Sequence, residues 1–203
     1  MIEIPSKLLS AAVDEMASLP GVGRKTALRL ALHLLKQPQE NVERFGNSFI
    51  RMRRDLFRCR ICHNVSDTSI CPICSDTSRD TSMICVVESI REVMSIENTM
   101  QYNGTYHVLG GIISPIEGTG PSDLAVDSLL ARAADTEIRE VILALSTTME
   151  GETTGFYLYK RLKPCNVTVS VIARGVSFGD EIEYADEITL GRSIKNRRPF
   201  ELL

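Results

Sequence analysis

The sequence predicts an α+β protein with a helical N-terminal region, a small four-cysteine loop, a parallel α/β domain and a short C-terminal tail. Up to residue 57, apolar residues recur at spacings of three and four, which is typical of helices with one apolar face. Two Cys-x-x-Cys pairs follow, as in a metal-held loop. After residue 80, short apolar runs alternate with helical stretches, which predicts a parallel sheet with helices on both sides. These changes of pattern place the boundaries at 1–57, 58–76, 80–175 and 176–203.

The composition is that of an ordinary globular protein. Hydrophobic residues make up 43% of the chain and charged residues 24%, and 203 residues are enough for one large core or two small ones. The N-terminus lacks the basic start and apolar run of a signal peptide, and no apolar stretch approaches the ~20 residues that span a bilayer. We therefore expect a cytoplasmic protein with no membrane partner.

Charge is distributed unevenly along the chain. The net charge of −3 argues against a dedicated nucleic-acid binder, but residues 1–60 hold 11 Lys/Arg against 6 Asp/Glu, whereas the remainder holds 12 against 20. Arginines crowd the approach to the first cysteine pair. A basic half on an acidic protein fits a phosphate-contacting surface, and the alternative is a solvated helix face.

A tight glycine-containing turn joins the first two predicted helices, which cover residues 5–18 and 27–35. The turn reads Leu-Pro-Gly-Val-Gly-Arg-Lys-Thr, the pattern of a helix–hairpin–helix motif that holds a DNA phosphate without reading bases. Glycines let the backbone approach an anion, and the N–H groups at the start of the next helix can point at it. The alternative is a turn used for packing or subunit contact. The candidate DNA-binding residues are Gly21, Gly23, Arg24 and Lys25.

A third helix is predicted over residues 39–57. Its apolar residues recur at spacings of three and four, which defines one stripe. The stripe is interpreted either as core or as a surface that meets another subunit. Its members are Val42, Phe45, Phe49, Met52 and Leu56.

The two cysteine pairs predict a structural zinc site, because four thiolates at this spacing can close tetrahedrally on one ion. The polar segment between them is too short to form a core, so the metal would hold it in shape. The alternatives are disulfides, an iron–sulfur cluster or unrelated thiols. Disulfides are disfavoured because the chain is expected to be cytosolic. His63 is interpreted as a solvent-facing neighbour rather than a ligand. The candidate ligands are Cys59, Cys62, Cys71 and Cys74.

The remainder reads as alternating strands and helices, with a capping box formed by Ser89 and Glu92 at the first of these helices. The last stretch, residues 189–203, shows no pattern of its own. Strands are predicted at 83–87, 106–109, 140–145 and 167–173, and helices at 89–97, 121–134 and 152–162.

Acidic residues follow two of these strands. Glu88 comes directly after the first strand, and Glu150 and Glu152 lie just beyond the third. Because ligands of parallel sheets sit at the carboxyl ends of the strands, these carboxylates could hold Mg²⁺. The alternative is that they are helix N-terminal acids, which the helix dipole stabilises.

One Glu after a first strand and an acidic pair after a later strand resemble the Toprim domain of primases, topoisomerases and related nucleases. The whole order resembles the RecR family of bacterial recombination mediators: helix–hairpin–helix, four-cysteine zinc finger, Toprim domain and short tail. The resemblance covers nearly the full chain. The matching motifs lie at 19–27, 59–74, 87–89, 150–154, 173–175 and 183–186.

The resemblance implies a non-catalytic DNA-binding protein of recombinational repair, cytoplasmic and associated with the nucleoid. Such proteins form a dimeric or tetrameric ring, bind the RecO and RecF proteins, and help load RecA on single-stranded gaps coated by single-strand-binding protein. In this interpretation Lys25 and Arg24 line the hole, and the three glutamates form a partner-binding surface or a relic metal site.

Two other functions stay open at this point. One is a Mg²⁺-dependent nuclease or primase-like enzyme using Glu88, Glu150 and Glu152. The longer Glu-x-Glu pair, in place of the Asp-x-Asp of catalytic Toprim proteins, argues against it. The other is a structural oligomer without DNA affinity.

Overall fold

The computed structural model describes residues 4–176, 179, 181–197 and 199, and the chain divides between Leu56 and Phe57 into two compact units. The first unit holds three helices, and the second holds the cysteine loop, the sheet and the last helix. The helices are α1 Lys7–Ala17, α2 Arg24–Leu35, α3 Gln39–Asp55, α4 Pro72–Ser75, α5 Ile90–Glu97, α6 Val126–Ala133, α7 Met149–Leu162 and α8 Glu187–Lys195. The strands are β1 Phe57–Arg58, β2 Val65–Ser66, β3 Asp80–Val87, β4 Gly104–Val108, β5 Glu140–Ala144 and β6 Thr168–Val171.

In the first unit, α1 packs against α2 through a small core of Val13, Ala27 and Ala31. The hydroxyl of Ser6 accepts a hydrogen bond from the N–H of Leu9 and caps the start of α1. Small side chains at the contact let the two helix backbones approach closely. Both helices predicted beside the glycine turn are therefore present.

Helix α3 buries none of its residues. Its apolar stripe lies open in the single chain, with Phe45, Phe49 and Met52 exposed by 47%, 53% and 56%. The interpretation of this stripe as core was therefore wrong, because periodicity identifies an apolar face and not what covers it. The interpretation as a subunit surface stays a prediction.

The sheet of the second unit is parallel in the order β4-β3-β5-β6. Successive side chains of a strand point to opposite faces of the sheet, and those of the central strand β3 accordingly enter two separate cores. Ile84 and Val86 pack on the side of α6 and α7, whereas Cys85 and Val87 pack on the side of Val93 in α5. Helices thus cover both faces of the sheet, and the predicted α+β class is confirmed.

Several predicted boundaries shift. Strand β3 begins at Asp80, three residues early, and α7 begins at Met149, because the Thr148 hydroxyl accepts from the N–H of Gly151 and caps it. The stretch predicted as a helix from residue 121 begins with a 3-10 turn, Pro121–Asp123, and its α-helix starts only at Val126.

The tail also differs from the prediction, because it contains helix α8. The carboxylate of Asp186 accepts from the N–H of Thr189 at 2.9 Å and caps this helix. In the part of the chain described, no helix is both long and apolar enough to cross a bilayer.

Candidate functional site

The four cysteines of the two pairs lie together in the second unit. Their Sγ atoms all lie within 4.8 Å of one another, and three of the side chains are buried while Cys74 is partly buried. All four are free thiols, so the disulfide alternative is excluded. A compact group of four sulfur donors is the ligand set that tetrahedral zinc prefers.

Two short elements position these thiols. The β1–β2 hairpin carries the first pair, and His63 adopts a left-handed φ of 62° so that its N–H can donate to the carbonyl of Cys59 at 2.9 Å. The second pair brackets the start of α4, where the N–H of Cys74 points at the Sγ of Cys71. The N–H of Cys71 donates in turn to the Sγ of Cys59 at 3.3 Å. Such N–H donors stabilise thiolates.

The thiols also perturb one another. Hydrogen bonding with Cys74 lowers the pKa of Cys62 to about 5, and the same contact raises the pKa of Cys74 above its ordinary value. Burial raises the pKa of Cys71 to about 11. Four sulfur atoms at this separation cannot all become anionic without a cation between them. The donor set therefore fits Zn²⁺, which would be held by the thiolates and would fix the loop.

The cysteine loop is attached to the sheet. The N–H of Val108 in β4 donates to the carbonyl of Cys62 at 2.8 Å, and Ile73 packs against both the cysteines and the sheet core. His63 is partly buried: its Nε2 lies 2.8 Å from the Ser128 hydroxyl of α6, and its ring packs edge-on against His107. The expectation of a solvent-facing His63 was therefore wrong.

The glycine turn lies in the first unit and opens α2. Gly21 has φ +78°, a conformation that a side chain would strain, and Gly23 caps the helix without a side chain. The first bond of α2 runs from the N–H of Ala27 to the carbonyl of Gly23 at 2.9 Å. Within the described residues, no protein acceptor meets the N–H groups of residues 23–26. These groups therefore face outwards at the positive end of the helix dipole.

The basic side chains at this turn differ in their availability. Arg24 forms an ion pair with Asp14 of α1, whereas Lys25 is exposed and has no ion pair in the described part of the chain. Arg29 and Lys36 line one open recess of α2 together with Lys25. Sequence reasoning did not single out these two residues, although their spacing from Lys25 was a readable signal.

The three glutamates stand at the carboxyl ends of β3 and β5, but they do not form a metal-sized group. Glu88 accepts from the N–H of Ser146 at 2.6 Å. Glu152 accepts from Arg174 at 2.7 Å and from Arg192 of α8 at 2.8 Å. Among the described residues, the cysteines are the one group of three or more ligands close enough to share an ion.

The arginines change the electrostatics of this edge. Hydrogen bonding from Arg192, reinforced by Arg174, lowers the pKa of Glu152, which is consequently held as a neutralised anion. Sequence reasoning did not pair Arg174 or Arg192 with Glu152, because the irregular apolar pattern of the tail obscured α8.

Four family models match the chain in succession. They are the RecR helix-hairpin-helix at residues 9–52, the RecR four-cysteine zinc finger domain at 56–76, the Toprim domain at 82–173 and the RecR C-terminal model at 175–198. The "Recombination protein RecR" of Porphyromonas gingivalis is 63% identical over 96% of this chain and 94% of its own. The chain belongs to the RecR family.

Other RecR relatives are similarly close. The "Recombination protein RecR" of Parabacteroides distasonis is 61% identical, covering 98% of this chain and 95% of its own length. That of Flavobacterium psychrophilum is 56% identical over 98% of this chain and 97% of its own. The predicted RecR resemblance is thus confirmed, and with it the helix–hairpin–helix, the Toprim domain and a structural zinc held by a four-cysteine finger.

Proposed function

We propose that this protein is a non-catalytic, DNA-binding protein of recombinational repair. It acts as a ring-shaped clamp with RecO and RecF and helps load RecA on single-stranded gaps coated by single-strand-binding protein. The observation that carries the proposal is the open N-terminus of α2 beside the exposed Lys25, within the region that matches the RecR helix-hairpin-helix. Membership of the RecR family supports RecO and RecF as the proposed partners, and the proposed site of action is the cytoplasm, at the nucleoid.

The proposed DNA contact is made by the backbone and one basic row. Free N–H groups at Gly23 and the residues after it can hold a phosphate oxygen, which the helix dipole favours. Lys25, Arg29 and Lys36 supply further positive charge along α2. Arg24 contributes less, because Asp14 already neutralises it. None of these contacts reads a base, so binding is independent of sequence.

The zinc centre has a structural role. We infer that Cys59, Cys62, Cys71 and Cys74 are the ligands, since their sulfur atoms already converge. A site with four protein ligands has no open position for a substrate, so the metal fixes the loop rather than taking part in chemistry.

Assembly into a ring uses the exposed stripe of α3 as one contact between copies. Phe45, Phe49 and Met52 are each about half exposed, and a stripe of this kind is costly in water unless a partner covers it. A second contact in the C-terminal region would close the ring as a dimer or tetramer. Residues 1–57 would then serve DNA binding and oligomerisation, and residues 58–76 would hold the zinc. Residues 80–175 would form the Toprim domain, and 176–203 would be the C-terminal tail and second oligomerisation segment.

The acidic edge is proposed as a partner-binding surface. Glu152 is engaged by two arginines, and the three carboxylates do not converge on one point, so the edge is a poor Mg²⁺ site. Glu88 and Glu150 remain to attract a basic partner, for which RecO is the candidate.

The experiment is a DNA titration followed by fluorescence anisotropy at several salt concentrations. Lys25→Ala combined with Arg29→Ala should weaken binding. The salt slope should fall by about 0.9 on duplex DNA, or about 0.7 on single-stranded DNA, for each phosphate that the variant no longer neutralises. Lys160→Ala, which removes an exposed lysine from the sheet unit, is the matched control and should leave both quantities unchanged. Unchanged affinity and slope in the double variant would contradict the proposed DNA surface.

The same samples test whether the protein is an enzyme. Labelled DNA incubated with Mg²⁺ should remain intact, because no group of carboxylates among the described residues is placed to fix the metal. Cleavage that disappears in Glu88→Gln would replace the proposed function with a Toprim nuclease.

A further inference from the structure

Arg132 of α6 is a cation surrounded by uncharged acceptors. Its Nη1 donates to the carbonyl of Tyr106 at 2.7 Å and to Nδ1 of His107 at 3.2 Å, and its Nη2 donates to the Thr105 hydroxyl at 3.2 Å. All three acceptor residues are buried in β4. Throughout the described part of the chain, no carboxylate lies within ion-pair distance of this guanidinium. Arg132 is partly buried, so a counter-charge for it inside the described protein has to be something other than Asp or Glu.

The neighbouring histidine does not carry a charge. Because Nδ1 of His107 accepts from Arg132, its proton resides on Nε2, which donates to the carbonyl of Ala125 at 2.7 Å. Burial lowers the pKa of His107 to about 3, in agreement with this neutral tautomer. Arg132 is therefore the cation of this buried group, and the histidine fixes its position.

The cysteine loop contacts this histidine through His63. The ring of His107 packs edge-on against that of His63, with centroids 5.1 Å apart, and His63 directly follows Cys62. The next residue of β4, Val108, donates its N–H to the carbonyl of Cys62 at 2.8 Å. Arg132 therefore binds β4 at Tyr106, two residues before the Val108 that contacts the cysteine loop.

We propose that Arg132 is the counter-charge of the zinc centre, so that the cation on α6 and the metal on the cysteine loop stabilise each other. Zinc with four thiolates carries a net charge of about −2, which a buried site must balance. The inference rests on the zinc centre proposed above. It adds Arg132 to that centre, a residue of the sheet domain that is remote in sequence and does not coordinate the metal.

A consequence follows for the sheet domain. When zinc leaves and most of the thiols take up protons, Arg132 loses most of its counter-charge, which leaves a partly buried cation poorly compensated. Metal loss should therefore weaken the sheet as well as the loop. If Arg132 served only to satisfy the carbonyl of Tyr106, its contribution would be the same with and without the metal.

The test is a two-by-two comparison of Arg132→Gln and wild type, each zinc-loaded and zinc-stripped. Zinc stoichiometry is measured first, then zinc affinity by competition with a colorimetric chelator, then the melting temperature. We expect Arg132→Gln to bind zinc about tenfold more weakly, because a partly buried counter-charge is removed. Its melting temperature should fall in the loaded protein, and should fall clearly less in the stripped protein, where Arg132 has lost most of its counter-charge. Equal falls in both forms, or wild-type zinc affinity, would overturn the proposal.

Two further variants complete the comparison. Arg132→Lys keeps the charge, so its zinc affinity should lie within about threefold of wild type. A tenfold loss of zinc affinity in Arg132→Lys would overturn a role based on charge. This result can be obtained even if the Gln variant does not fold. Arg161→Gln removes an arginine of α7 that pairs with Asp127 outside the cysteine loop, and should change the melting temperature equally in both forms. A wild-type protein without stoichiometric zinc would instead refute the zinc centre itself, which is a separate result.

Discussion

The cysteine loop and the glutamate edge were both predicted from sequence as places where a metal could bind, and they differ in the structure. The four Sγ atoms lie within 4.8 Å of one another, with neighbouring N–H groups aimed at the sulfurs. The three glutamates stay apart, and two arginines neutralise Glu152. Ligands in the same loop converge because the local backbone brings them together. Ligands from different strands converge on a metal only if no other group in the protein already binds them.

The difference also explains what each region offers a partner. Thiols packed at van der Waals separation have no stable arrangement as anions without a cation, so the loop depends on its metal. Glu152 already has its counter-ions inside the chain, so the glutamate edge does not depend on a metal, and Glu88 and Glu150 are left for a partner. Each of the following experiments alters one of the two regions while leaving the other in place.

The largest effect is expected from Cys62→Ser, which removes one thiolate of the proposed centre. We expect zinc content to fall from about one ion per chain to a small fraction of that, and the melting temperature to drop by about 10 °C or more. Elemental analysis and thermal unfolding give the two quantities. Cys165→Ser, a thiol outside the centre, should retain zinc; full zinc content in Cys62→Ser would contradict the assigned ligand set.

The cysteine loop and the glycine turn could be predicted from sequence because both depend on short-range geometry. Two Cys-x-x-Cys pairs and a Gly-x-Gly turn dictate local backbone, whatever the rest of the chain does. The capping box at Ser89 is similar: its hydroxyl and the Glu92 carboxylate form both reciprocal bonds. Such features need no knowledge of long-range contacts.

Other features could not be predicted because they depend on contacts between distant residues. His63 meets Ser128, 65 positions away in the chain, and nothing in the pattern of either segment indicates the pairing. The exposure of α3 is of the same kind, because an apolar stripe looks alike whether a core or a second copy covers it. Helix α8 is different, since the Asp186 cap was a readable signal that an irregular apolar pattern obscured.

A smaller effect is expected from Glu152→Gln, which removes the acceptor of Arg174 and Arg192. Because the pair is exposed to solvent, the melting temperature should fall by a few degrees at most near neutral pH. The folded-state pKa of Glu152 lies below its ordinary value of 4.5. Its stabilisation is therefore complete above pH 4.5 and is lost as the pH falls through the lower folded-state value.

The measurement is the difference in melting temperature between wild type and Glu152→Gln across this pH range. The difference should shrink as the solution becomes more acidic than pH 4.5. Glu150→Gln is the matched control in the same helical turn, and it has no ion pair among the described residues. A difference that grows on acidification would refute the ion-pair account of Glu152.

The smallest effect is expected when Mg²⁺ is added to the zinc-loaded protein. A ligand that binds the folded state raises the melting temperature in proportion to its affinity and concentration. Because the N–H of Ser146 already engages Glu88 and the arginines engage Glu152, millimolar Mg²⁺ should shift the melting temperature no more than an equal ionic strength of NaCl. A larger rise with Mg²⁺ that disappears in Glu88→Gln would show that the glutamate edge gathers a metal after all. Both regions would then bind a metal, and they would differ only in their affinity for it.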